Sequence, residues 1–154
     1  MRIFATIDFR RGASAIVTAL VVAWATPATA QATATADNFA DDFAGRLGTL
    51  INEYRGRHGV APLVTEDQLA SLARQHSADM AKAGSLSHDG YEARFRDSGH
   101  TMCVENVGWN YPTPAKQMTA WETSPGHERN MSDGRVTHMG VGVAANYVTF
   151  IACR

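Results

Sequence analysis

No charge of either sign dominates this chain of 154 residues: 14 Lys and Arg stand against 15 Asp and Glu, a formal net charge of −1. Without a basic excess or a basic stripe, binding to a nucleic-acid backbone has no electrostatic foundation, and no nucleic-acid partner is expected. Catalytic signatures are equally scarce. No Gly-x-Ser-x-Gly elbow, phosphate-cradling glycine loop or dinucleotide fingerprint occurs. Nor is there an apolar run of the roughly 20 residues that a membrane-spanning helix needs. Cysteine is rare, with two in the whole chain.

What is present begins with an export signal. "MRIFATIDFRR" is a basic start, "ASAIVTALVVAWA" a short apolar stretch, and "ATPATA" ends in Ala28-Thr29-Ala30, small residues where a signal peptidase reads. Residues 1–30 are therefore expected to be a signal peptide, and the protein to be periplasmic or extracellular with no membrane span after cleavage. Cleavage removes Arg2, Arg10, Arg11 and Asp8, leaving 11 basic and 14 acidic residues out of 14 and 15. The remaining 124 residues suffice for one domain with a single core. In an oxidising compartment Cys103 and Cys153 are most simply a disulfide. The competing reading makes Cys103 a nucleophile served by His127.

"QATATAD" (31–37) reads as a low-complexity leader, disordered or extended. From Asn38 onward Phe39, Phe43, Leu47, Leu50, Ile51 and Tyr54 recur at helical spacing, up to a stop near Gly59. A second helix starts after Thr65 and carries Leu69, Leu72, Ala73, His76 and Met80 on one face as far as Gly84. His76 on that apolar face reads first as a core histidine bonded to a backbone carbonyl. Residues 85–100 are polar and turn-rich and read as a long connection. "TMCVENVGW" alternates as a strand with Cys103, Glu105, Val107 and Trp109 on one face. A short helix bearing Met118 and Trp121 follows, then a helical turn at "GHERNM", then two strands joined around Asn146. Helices early and strands late predict an α+β layered domain. A Cys103–Cys153 bond would bring the first and last strands together, with Glu105 inside the sheet rather than at a free edge.

"SPGHERNM" (124–131) opens like a zinc-protease helix, but Met131 stands where the second histidine should be. Glu128 then reads as a solvated helix-end acid. His127 can find partners elsewhere in His88, in the polar connection, and Glu105, on the strand. Two imidazoles and a carboxylate are the ligand set of an open zinc site, and equally a metal-free acid/base set. Sequence spacing alone does not bring the three together. Asn130-Met131-Ser132 fits the glycosylation triplet, a pattern of little specificity.

From about Leu50 onward the chain resembles the CAP superfamily of cysteine-rich secretory, antigen and pathogenesis-related proteins, in its bacterial secreted form. Asn52, Arg55, Gly59, Pro62-Leu63, Leu69, Ala73, Met80 and His88 match the first segment. Glu105-Asn106 match its strand motif, and "WETSPGHERNM" and "GVGVA" match the following ones. The resemblance implies a three-layer α-β-α sandwich around a small, mostly antiparallel sheet, with a SCP-like domain over residues 38–154. It further implies a cleft where His88, Glu105 and His127 meet, binding zinc or another divalent cation. Two departures stand out: Ser124 occupies the place of a second cleft acid, and Glu128 that of an arginine.

Three functions follow as expectations. The first is binding of a metal together with a lipid, small ligand or envelope protein, by a monomer and without turnover. The second is hydrolysis of peptide or cell-wall bonds by the metal or by His88, Glu105 and His127 directly. The third is an envelope interaction module whose cleft is vestigial.

Overall fold

A computed structural model describes residues 28–154, with side-chain surroundings from Asp37 onward. The body of the expected signal peptide lies outside the described residues. The first helix, α1 (Ala28–Arg57), includes residues 31–37 in its opening turns, where a disordered or extended leader was expected. It buries Phe43, Leu47, Ile51 and Tyr54 along one stripe, the period read from the sequence.

The remaining elements are β1 (Val64–Thr65), α2 (Asp67–Ala83), α3 (Tyr91–Ser98), β2 (Cys103–Trp109), α4 (Pro114–Glu122), α5 (Pro125–Met131), β3 (His138–Ala144) and β4 (Tyr147–Cys153). The sheet order is β1-β3-β4-β2, antiparallel except for the short parallel β1–β3 pair. Side chains alternate along β4 to serve two layers. Val148, Phe150 and Ala152 join α1, α4 and α5 in the larger core. Ile151 and Cys153 pack with Leu69 and Ala73 of α2, and Tyr147 packs with Met80. The fold is an α+β, three-layer α-β-α sandwich.

Two glycines set how closely α2 lies on the sheet. A methyl group on Gly140 would overlap the backbone of Leu69 and Ala70, and one on Gly142 that of Ala73 and Arg74. Ser77 uses the same proximity, donating to the carbonyl of Gly142. On the opposite margin Cys103 pairs with Cys153 in register and the two are disulfide-bonded. That bond removes the nucleophile reading of Cys103.

Two sequence expectations change. The connection at 85–100 contains α3, bracketed by Gly90 and Gly99, both at positive φ, which glycine adopts without steric penalty. β2 lies at the edge of the sheet, not inside it. Glu105 is buried nonetheless, because side chains cover the outer margin of its strand.

Candidate functional site

The edge position of β2 builds the site. Glu105 points to the α2 and α3 side, whereas its neighbour Asn106 points to the α5 side, so groups from both faces meet around the free margin of one strand.

On the first side α3 supplies two residues one turn apart. Tyr91 donates its hydroxyl to the carbonyl of Cys103. Arg94 forks onto Glu105, with Nε donating to Oε2 at 2.8 Å and Nη2 to Oε1 at 2.8 Å. Arg94 is itself anchored by Nη1, which donates to the carbonyl of Asp89 at 2.7 Å. His88, in the turn between α2 and α3, contacts Glu105 through Nδ1, 2.8 Å from Oε1. A carboxylate only accepts, so Nδ1 carries the proton and Nε2 is left free. The Glu105 side chain is 2% exposed and that of His88 53%. The site thus has a sealed floor and an open imidazole above it.

His76 is buried beneath the pair. Its Nε2 lies 2.9 Å from the carbonyl of Ser87 and 3.9 Å from Glu105 Oε1. It is the core histidine expected, and it also backs the site. Burial lowers its pKa first, the Arg94 charge lowers it further, and Glu105 partly opposes both.

On the second side α5 presents His127. Asn106, fully buried, donates to the carbonyl of His127 at 3.0 Å, and Asn130 donates to Asn106 Oδ1 at 2.8 Å and to the Glu105 carbonyl at 3.0 Å. This interlock fixes α5 against β2. The His127 ring sits 6.2 Å from that of Trp121 and lines a cavity with Val107 and Trp109. Burial lowers its pKa, and so does the neighbouring His88. Among the described residues its Nδ1 is buried without a partner, which leaves Nε2 as the nitrogen able to face the cavity. Among the described residues, no hydrogen bond joins His127 to Glu105 or His88.

His88 and Glu105 are therefore in contact, and His127 lies near enough to His88 for the charge of His88 to act on it. Among the described residues, no group of three or more His, Cys, Asp or Glu side chains is arranged to hold a metal ion. Glu128, expected in solvent, is half-buried and accepts a 2.8 Å bond from the Tyr54 hydroxyl, tying α5 to α1. Sequence reading passed over Arg94, and its signal was faint: an arginine three residues after Tyr91 on a short helix that the polar composition hid.

The sequence profile of the cysteine-rich secretory protein family (CAP) matches residues 49–153, a stretch that holds every side chain of this site. The chain belongs to the CAP family. Two relatives from Bacillus subtilis (strain 168) are similar to it: the uncharacterized membrane protein YlbC, 32% identical over 107 residues, and the uncharacterized protein YkwD, 31% identical over 100. These matches cover 65% and 60% of this chain but only 31% and 39% of the relatives, so the chain spans about a third of their length. An extracellular protein containing a SCP domain from Bacillus anthracis str. Ames superposes with a TM-score of 0.75 at 26% identity, over 84% of this chain and 44% of that one. An outer surface protein from Borrelia burgdorferi shares the fold, with a TM-score of 0.66 at 16% identity, over 71% of this chain and 90% of that one. Among the described residues of this CAP protein, no helix is long and apolar enough to cross a membrane.

Proposed function

We propose that this CAP protein is an exported binding domain whose cleft takes its ligand without turnover and without a divalent cation. The observation that carries the reading is the Arg94 fork, which engages both oxygens of Glu105. The expected donor set fits a metal poorly at Glu105, the carboxylate it needs. Glu105 is 2% exposed and already accepts three hydrogen bonds, two from Arg94 and one from His88, which leaves it little capacity to bind a cation. His88 and His127 each keep one ring nitrogen without a hydrogen bond among the described residues. The His88–Glu105 pair therefore serves as an oriented polar contact for a ligand. Export is supported by the leader pattern and by the 26%-identical relative described as extracellular.

One observation favours hydrolysis as a second reading: a carboxylate orients the His88 imidazole, as in catalytic triads. Against it, Cys103 is locked in a disulfide, and among the described residues no hydroxyl is bonded to His88 Nε2.

Calorimetric titration with zinc at neutral pH tests the proposal, run beside the double variant His88→Ala, His127→Ala. The expected result is no stoichiometric zinc binding to either protein. One zinc per chain, lost in the double variant, would overturn it.

A further inference from the structure

Residues 85–98, from the end of α2 to the end of α3, are held to the sandwich chiefly by polar contacts. They contribute no side chain to the hydrophobic clusters, and the buried apolar residues pass from Met80 directly to Val107. Within the segment only Ser98 is buried. Its ties converge on β2: Tyr91 donates to the carbonyl of Cys103, and Arg94 and His88 both donate to Glu105. From α2, Gln68 donates to the carbonyl of Asp97, and His76 Nε2 lies 2.9 Å from that of Ser87.

Packing between the segment and α2 is incomplete. It leaves a cavity of about 390 Å³, lined by Leu72, His76 and Met80 of α2 and by Ala93 and Arg94 of α3. Gly84 and Gly99 bound the segment, both at positive φ and both with open space where a side chain would begin. The chain can turn at either glycine without pushing on the fold.

A segment attached in this way opens below the free energy of global unfolding, because water replaces polar ties but does not replace buried apolar contacts. We infer that residues 85–98 form a flap, hinged at Gly84 and Gly99, which opens as one unit while the sandwich stays folded. β2 does not leave with it, since its ladder to β4 and the Cys103–Cys153 bond keep it in place. The hinge therefore divides the site. His88 and Arg94 travel with the flap, whereas Glu105, His76 and His127 stay on the sandwich. Opening takes both donors off Glu105 and uncovers His76, so only the closed flap presents an oriented His88. As a gate for ligand, the flap rests on the reading of the cleft as a binding surface, but its opening does not.

Amide hydrogen exchange of the ligand-free protein, followed by NMR, tests the flap by comparing residues 94–98 of α3 with 148–152 of β4. After correction for intrinsic rates, amides 94–98 should exchange roughly tenfold or more faster than those of β4. Low urea should speed β4 and leave 94–98 unchanged, because urea sensitivity follows the surface exposed on opening. Ile51→Val removes one methyl group from the core, where Ile51 is fully buried. It should speed β4 about two- to tenfold and leave 94–98 unchanged. Tyr91→Phe removes one tie of the flap and should speed 94–98 by about two- to tenfold. Fraying of α3 in place would keep that tie, and Tyr91→Phe would then exchange as the wild type does. Equal protection of the two sets, a response of 94–98 to Ile51→Val, or no response to Tyr91→Phe would each overturn the inference. None of these results bears on zinc binding, so the metal-free reading of the cleft stands or falls separately.

Discussion

Arg94 Nε and Nη2 grip the two oxygens of Glu105, each at 2.8 Å, at the free margin of an edge strand. The arginine side chain is 12% exposed and the glutamate 2%, so the pair is largely removed from water. Removing one partner of such a pair strands a buried charge. Arg94→Met should lower stability by about 3–5 kcal/mol, read from urea unfolding curves. Arg94→Met combined with Glu105→Gln should recover part of that loss, because no lone charge then remains.

Acid should weaken the fold through His76 and His127. Burial holds both below the ordinary histidine value of 6.5, so the unfolded chain binds their protons more readily than the native one. Their stabilisation is complete above pH 6.5 and is lost as the pH falls from there through their folded values. The slope is at most about 1.4 kcal/mol per pH unit for each histidine. Unfolding free energies measured across pH 4–8 should fall on the acid side, and His127→Asn should flatten that fall.

The Cys103–Cys153 bond closes a separation of 50 residues. In the chain-entropy account such a loop is worth roughly 4 kcal/mol. The double variant Cys103→Ser, Cys153→Ser should show a loss of that order in thermal or urea melts, with the circular dichroism of the folded state retained.

Gly142 bears the backbone of α2 directly. Gly142→Ala must push the helix off the sheet and should destabilise by more than the 1–3 kcal/mol usual for an extra methyl group in a core, since backbone rather than a side chain has to yield. Gly45, with open space around it, is the control: Gly45→Ala should stabilise α1 by up to about 1 kcal/mol.

Gln117, on the inner face of α4, is buried, and among the described residues neither polar atom of its amide is hydrogen-bonded, so Gln117→Leu should raise stability by about 1–3 kcal/mol. A higher melting temperature shows the effect.

Much of this architecture was legible because it is local. The helical stripes of α1 and α2, the stop at Gly84 and the β3–β4 pair around Asn146 each declare themselves within a short window. His88, Glu105 and His127 stood out as residue types able to act together. What escaped depends on distant pairings. The edge position of β2 follows from strand order, which no window of sequence contains. α3 has few apolar residues and is held by Tyr91 and Arg94 reaching β2. Arg94 was therefore hidden with its helix, and with it the reason Glu105 is engaged. Gln117 lay unnoticed beside Met118 and Trp121, because one polar residue barely disturbs an amphipathic pattern.

In the proposed function Glu105, held on both oxygens by Arg94 and on one by His88, is withheld from a cation. Long-range 15N–1H NMR of the histidine rings tests it most directly, at a pH where both rings are neutral, with and without equimolar zinc. The account predicts His88 protonated on Nδ1, His127 protonated on Nε2, and both patterns unchanged by the metal. A shift of both rings in step with added zinc, with His127 carrying its proton on Nδ1, would contradict it.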